Sequence, residues 1–248
     1  MPRFADAVRD TGRAAALALA GVERWLLPAA CLLCEARIPV RQGDALVCGP
    51  CRSRWRPVVG PLCQRCGQPA FGGLECRICS SWSPGLTRVR SAVWLADGAR
   101  EAVHRLKYQG WWRIAESLAE AMRGLEPLTG QVCLIPVPLG ARRLRERGYN
   151  QSERIARALA SIVRCSVRTD VLSRIRETPT QTALTPEGRQ ANVAGAFRAV
   201  GAAQQHCVLV DDVFTTGATL AEAGSALAAA GAASVEAVTF ARAVEMVG

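Results

Sequence analysis

The chain has 248 residues, half of them apolar, enough to bury an α/β core beside a small accessory domain and too many for an intrinsically disordered protein. Its net charge of +10 favours anionic partners such as nucleotides, nucleic acid or phosphorylated substrates. Eleven cysteines, eight of them in four Cys-x2-Cys pairs, argue for metal in a reducing cytoplasm rather than for disulfides.

Residues 3–27 read as an amphipathic helix, with Phe4, Val8, Ala15, Val22 and Leu26 near helical spacing and Pro28 ending it. The apolar run 14–22 is too short to cross a bilayer and is closed by Glu23 and Arg24, so no membrane insertion and a cytoplasmic location are expected. The polar face mixes Asp and Glu with Arg, which suits docking on the protein's own core better than lying on a membrane.

The next segment carries Cys31/Cys34, Cys48/Cys51, Cys63/Cys66 and Cys76/Cys79. Each pair places two thiolates on one metal, and two pairs complete a tetrahedral zinc site. Consecutive pairs sharing a metal is the simplest arrangement; first with third and second with fourth also satisfies the spacing. Gly67 suits the left-handed turn of such a knuckle. The segment is too short and polar for a core, so two structural zinc ions would supply its folding energy. Seven arginines against three acids, with Trp55 and Trp82 nearby, allow two readings. One is a surface for single-stranded nucleic acid; the other is a solvated ribbon whose tryptophans pack on a neighbouring domain.

Pro84-Gly85 reads as a linker. A strand at 89–96 and helices at 99–108 and 112–123 follow. The first helix holds His104, read as a surface residue, and Lys107, the sole lysine among 31 basic residues. A buried strand at 132–138 leads into a turn with Arg142, Arg143, Arg145 and Arg147, where guanidinium forks suit a diphosphate. A helix at 151–163 and a strand at 167–176 come next. The polar stretch 177–195, with Gln181, Thr182, Arg189 and Asn192, reads as a closing lid. Strands at 196–200 and 234–241 flank the central motif, and a helix is expected over 217–229. Cys133, Cys165 and Cys207 are expected in the core.

The central stretch is 207–219, Cys-Val-Leu-Val-Asp-Asp-Val-Phe-Thr-Thr-Gly-Ala-Thr. Val208, Leu209 and Val210 mark a strand covered on both faces. Asp211 and Asp212 then stand at its carboxyl end, the edge at which open α/β sheets bind ligands. Thr215, Thr216, Gly217, Ala218 and Thr219 offer hydroxyls and backbone N–H groups to a phosphate monoester at the next helix's start. Two acids beside a phosphate cradle suggest a sugar phosphate, with Mg²⁺ as companion. No Gly-Lys-Ser/Thr follows the strand, which excludes a Walker A loop.

This motif resembles the ribose-5-phosphate-binding motif of type I phosphoribosyltransferases. Over nearly its whole length the chain also resembles the ComF family. The matching features are the four Cys-x2-Cys pairs, Leu-Lys-Tyr-Gln-Gly at 106–110, Pro-Val-Pro-Leu at 136–139 and Arg-Gly-Tyr-Asn-Gln at 147–151. Gln181-Thr182, Leu184, Arg189, Asn192, Gly195 and Phe197 continue the match, with Tyr149 standing where many relatives carry Phe. The resemblance implies an α/β domain at 84–248 with a mainly parallel sheet and helices on both faces. A double zinc ribbon at 29–83 and the helix within 1–28 would precede it. It further implies that Asp211 and Asp212 hold the ribose hydroxyls of phosphoribosyl diphosphate with Mg²⁺ nearby, and that 215–219 binds its 5-phosphate. Arg142, Arg143, Gln181 and Arg189 would complete the ligand site, and Lys107 and Arg147 would join the two acids in catalysis.

Two functions follow from this reading. One is a Mg²⁺-dependent phosphoribosyltransferase, a glycosyltransferase of pentosyl groups, serving DNA uptake or utilisation with its acceptor unassigned. The other is a non-catalytic adaptor that binds single-stranded DNA through the ribbon and basic surface beside a DNA-translocating helicase.

Overall fold

The computed structural model describes residues 29–39, 42, 45–69, 76–177, 193–202 and 205–243. The amphipathic helix expected at 3–27 lies outside these residues, as does most of the stretch expected as a lid. Contacts divide the chain into two compact units, Met1–Ser53 and Arg54–Gly248.

In the first unit, the Cys31 knuckle closes through Cys31 N–H to Ala36 O (2.8 Å) and Glu35 N–H to Cys31 O (2.8 Å). Glu35 takes the left-handed conformation at φ 60°. Helix α1 (Gly49–Ser53) buries Cys51.

The second unit is built on a parallel five-stranded sheet in the order β1-β7-β6-β2-β3. Its strands are β1 (Arg88–Trp94), β2 (Cys133–Pro136), β3 (Ser166–Val167), β6 (His206–Phe214) and β7 (Ser234–Arg242). The helices are α2 (Asp97–Tyr108), α3 (Ala115–Met122), α4 (Ala141–Arg147), α5 (Gln151–Val163) and α6 (Ala218–Ala229). Connections β2–α5–β3 and β6–α6–β7 run to opposite sides of the central pair, and right-handed crossovers then put α5 and α6 on opposite faces. Strand periodicity follows suit. Cys207 and Leu209 join a core with Leu220, Ala223 and Leu227 of α6, while Val208 and Val210, also fully buried, take the other face.

Two expectations change here. The run 167–176 is not one strand: β3 joins the main sheet, and β4 (Leu172–Arg174) turns away to pair antiparallel with β5 (Phe197–Ala199). The strand expected at 196–200 therefore belongs to a separate two-stranded sheet. Their short, half-exposed patterns, Leu-Ser-Arg and Phe-Arg-Ala, suit a small antiparallel ribbon better than a parallel strand buried on both faces.

Strand β1 lies at the sheet edge, and a bare edge invites pairing with another chain. The preceding segment covers it: Trp94 N–H donates to Arg56 O (2.8 Å), Val58 N–H to Ala92 O (3.1 Å) and Val89 N–H to Arg65 O (2.7 Å). Arg65 sits between Cys63 and Cys66, so the third knuckle is built onto the sheet. Gly67, at φ 69°, passes so near β1 that a Cβ would stand 2.9 Å from Val89 O. Gly85 packs as closely on α6, where a Cβ would meet Ser225 Cα at 3.0 Å. The Pro84-Gly85 stretch is thus a contact rather than a free linker.

Arg242, 1 % exposed at the end of β7, locks this arrangement. It donates to Cys66 O (2.8 Å) and, through Nε and Nη2, to Gln68 Oε1 at 3.1 and 3.0 Å. Its guanidinium also lies 3.9 Å from the Phe214 ring centroid. Arg242→Met strands buried acceptors and is expected to cost about 2–4 kcal/mol, read by denaturant unfolding.

Candidate functional site

Strands β2 and β6 are neighbours whose crossovers depart in opposite directions, and open α/β sheets bind ligands at such a point, outside the carboxyl ends of the strands. Pairing between them ends where Val137 N–H donates to Val210 O (3.0 Å); beyond it Val137 O accepts from the Asn150 side chain and Asp212 N–H turns to Asp211 Oδ1 instead. The chains part there. A cavity of about 780 Å³ opens between the segment after β2 (Val137, Pro138, Leu139) and the end of β6 with its following loop.

Asp211 and Asp212 lie at this opening, the first half-buried and the second buried. Asp212 is 3 % exposed and pairs with Lys107 Nζ at 2.6 Å. Asp211 Oδ1 accepts from Ser152 Oγ (2.7 Å) and from Asp212 N–H (2.9 Å). Burial first, then the adjacent Asp212 charge, pushes the Asp211 carboxyl up to about 7, with Ser152 and Lys107 opposing. Burial works against the Lys107 ammonium, but the Asp212 and Asp211 carboxylates outweigh it and hold its pKa above the ordinary value. Lys107 is set by its helix: the Tyr149 hydroxyl donates to Leu106 O, tying α2 to the turn before α5. Asn150 caps α5 by accepting from Ser152 N–H (3.0 Å) and donates to Val137 O (3.0 Å), which fixes Ser152 beside Asp211.

After β6 the chain turns through Thr215, Thr216 and Gly217 into α6, and these residues line the cavity with Ala218 and Thr219. Gly217 caps α6 in the left-handed region at φ 76°. The first turn of α6 holds no acidic residue and no side chain caps it in regular geometry, so its N–H groups suit an anion.

The arginine-rich stretch after β2 is a helix rather than the expected open turn. Its residues, Ala-Arg-Arg-Leu-Arg-Glu-Arg, are strong helix formers, and left-handed Gly148 ends it by donating to Leu144 O (2.9 Å). Arg142, Arg143, Glu146 and Arg147 thereby share a face on the cavity, while Arg145 is not in its wall. Arg147 bonds Gln151 Oε1 and stands over Tyr108 (5.6 Å), and Glu177 Oε1 accepts from Arg142 N–H at 2.9 Å. Burial lowers the pKa of Arg174, also in the wall, with the Arg143 charge adding to the effect. Crowded guanidinium groups favour an anionic occupant.

The structure thus brings Asp211, Asp212, Lys107, Arg147, Arg142, Arg143 and residues 215–219 to one cavity. Gln181 and Arg189 lie outside the described residues, though Gly195 beyond them is anchored by donating to Glu222 Oε1 (2.6 Å). Sequence reasoning missed Ser152 and Arg174. Ser152 had a signal: it falls in register with Ile155, Ala156 and Leu159, a polar residue on the buried stripe of an amphipathic helix. Arg174 had none, one arginine among thirty-one basic residues.

The cysteines resolve the open pairing. The ligand atoms of Cys31, Cys34, Cys48 and Cys51 all lie within 4.8 Å of one another, and so do those of Cys63, Cys66, Cys76 and Cys79. Consecutive pairs therefore share a site. Sulfur separations of 3.7 Å (Cys34–Cys48, Cys63–Cys79) and 3.4 Å (Cys66–Cys76) approach the roughly 3.8 Å edge of a tetrahedral zinc–thiolate site. The donor set fits structural zinc. Trp55 and Trp82 do not offer stacking surfaces: they are 6 % and 7 % exposed and pack on Phe240 and Phe214.

Residues 22–80 match a family model described as a double zinc ribbon domain, and residues 149–245 one described as a phosphoribosyl transferase domain. The DNA utilization protein YhgH of Escherichia coli (strain K12) is 34 % identical over 220 residues, spanning 85 % of this chain and 95 % of that protein. Competence protein ComFC of Bacillus subtilis (strain 168) is 28 % identical over 235 residues, 86 % of this chain and 94 % of that protein. Competence protein F of Haemophilus influenzae is 24 % identical over 225 residues, 86 % and 96 % of the two chains.

Metal analysis of the purified chain should give close to two zinc ions per molecule; a value far below two contradicts the double site. The Asp211 shift sets the sign of a pH effect. Between its ordinary pKa of about 4 and its folded value of about 7, the native state holds a proton that the unfolded chain has released. Stability of the ligand-free protein should therefore fall as pH rises through this window, by up to about 1.4 kcal/mol per pH unit. Asp211→Asn should flatten that slope in denaturant unfolding.

Proposed function

The chain belongs to the ComF family, and from that premise we propose that its cavity binds phosphoribosyl diphosphate and acts as a phosphoribosyltransferase in DNA uptake or utilisation. The observation that carries this reading is the single cavity shared by the Asp211–Asp212 pair, the uncapped loop 215–219 and the arginine face of α4. Among the described residues no helix is long and apolar enough to cross a membrane.

Asp211 and Asp212 would accept from the vicinal ribose hydroxyls, and 215–219 would hold the 5-phosphate through backbone N–H groups and threonine hydroxyls. Arg142, Arg143 and Arg147 would receive the diphosphate and stabilise its growing charge as the bond to the ribose C1 breaks. Lys107 pairs with Asp212, and Ser152 orients Asp211. Adjacent carboxylates are hard oxygen donors that suit Mg²⁺; when bound with the diphosphate it would neutralise leaving-group charge. Gln181 and Arg189 are proposed to close over the ligand.

A second reading, binding of single-stranded nucleic acid beside a helicase partner, draws support from a different surface than the ribbon. Trp111 and Trp112 are each 42 % exposed, and Tyr108 at the cavity rim is 70 % exposed. Arg154 stands 4.5 Å over the Trp112 ring, an arrangement of cation and aromatic suited to unstacked bases.

Calorimetric titration with phosphoribosyl diphosphate and Mg²⁺ should give one binding site. Paired substitution of Asp211→Asn and Asp212→Asn should weaken binding by about a hundredfold or more while thermal unfolding stays cooperative. Absence of heat from the unsubstituted protein, together with no diphosphate release in the presence of nucleobases or oligonucleotides, counts against the catalytic reading.

A further inference from the structure

The indole of Trp82 touches the loop that the preceding reading assigns to the 5-phosphate. A Cβ on Gly217 would stand 2.2 Å from Trp82 Cζ2 and 2.7 Å from Cη2, so the edge of the ring rests on the loop backbone. Phe214, the last residue of β6, lies on the other side of the contact, 6.0 Å from Trp82 between centroids. Gly217 is at φ 76°, so absence of a side chain is required twice, by conformation and by this contact.

Trp82 is in turn fixed by the second cysteine cluster. A tight turn runs from the cluster to it: Cys79 N–H donates to Cys76 O and Trp82 N–H to Cys79 O, both at 3.2 Å. Arg65, between Cys63 and Cys66, donates to Cys79 O (3.1 Å), Trp82 O (3.3 Å) and Leu86 O (3.0 Å), with its guanidinium 5.7 Å from the Trp82 ring. Arg242 reaches from Cys66 O to the Phe214 face. Ser83 and Ser225 bond hydroxyl to hydroxyl, and Gly224 admits Leu86 at a distance where a Cβ would lie 2.9 Å from it.

We propose that Trp82 is a positioning residue for the loop 215–219, and that the Cys63, Cys66, Cys76 and Cys79 site, by holding Trp82, gates the sugar-phosphate site through its metal. The proposal rests on the phosphate reading of that loop, but the mechanical link to Trp82 stands or falls independently. Loss of metal from this cluster releases the turn at 76–82 and loosens the loop without removing any residue that faces the cavity.

Two conservative variants separate this from ordinary core filling. Trp82→Phe keeps a buried aromatic ring but removes the indole edge that meets Gly217. Trp55→Phe alters an equally buried tryptophan whose partner is Phe240 and serves as control. By hydrogen exchange, Trp82→Phe should speed the amides of 215–219 by about tenfold while those of Ile135 and Val238 hold; Trp55→Phe should not single out the loop. Cys76→Ser, which weakens the second metal site, should reproduce the Trp82→Phe pattern. Equal loop exchange in the two tryptophan variants overturns the positioning role, and an unaltered loop in Cys76→Ser overturns the metal link. Ribose 5-phosphate titrated into the same proteins tests the phosphate reading separately. Binding weakened in Trp82→Phe and Cys76→Ser supports both, whereas no binding by the unsubstituted chain sinks that reading and leaves exchange to decide the coupling.

Discussion

Two adjacent carboxylates, one buried and one half-buried, at the end of a parallel strand are costly unless compensated, and much of the second unit is arranged to compensate them. Lys107 reaches Asp212 from α2, and Ser152 reaches Asp211 from α5. Each of these helices is fixed by a further contact near Val137 or Leu106, through Asn150 and Tyr149. The compensation is incomplete, since Asp211 retains a raised pKa in the ligand-free protein. A site with such a carboxylate gains when hydroxyl donors or a cation arrive, which links its electrostatics to the proposed ligand.

The remaining architecture follows from exposing that strand end at the switch between β2 and β6. The ladder stops after Val137, whose carbonyl goes to Asn150 rather than to β6; the two chains diverge, and α4 and α6 begin on either side of the gap. The cysteine clusters serve a different need, replacing a hydrophobic core in segments too short to have one. The second cluster does more than fold itself. It covers the β1 edge through Arg65 and is fastened by Arg242.

Much of this was legible in the sequence because the signals were local. The run at 208–210 followed by two acids and a Thr/Gly loop announced the strand, its exposed end and the phosphate cradle, and the Cys-x2-Cys spacing announced the metal. Helices α2, α5 and α6 lie within a few residues of the expected 99–108, 151–163 and 217–229. Other features depend on tertiary contacts that leave little trace in spacing. The departure of β4 and β5 into their own ribbon could not be read from short strands. Nor could the sheet-edge role of Arg65, or the burial of Trp55 and Trp82, which composition alone left equally suited to stacking on bases. Helix α4 differs for another reason: its charge suggests a turn, whereas Ala, Leu, Glu and Arg all favour helix.

The account turns on whether the loop after β6 holds the phosphate of a ribose whose hydroxyls meet Asp211 and Asp212. Diffraction from crystals grown with phosphoribosyl diphosphate and Mg²⁺ addresses this most directly. The account predicts the 5-phosphate within hydrogen-bonding distance of the 215–219 backbone, both carboxylates on the ribose or its metal, and the diphosphate toward α4. A ligand bound elsewhere, or a cavity that stays empty at saturating concentration, would contradict it.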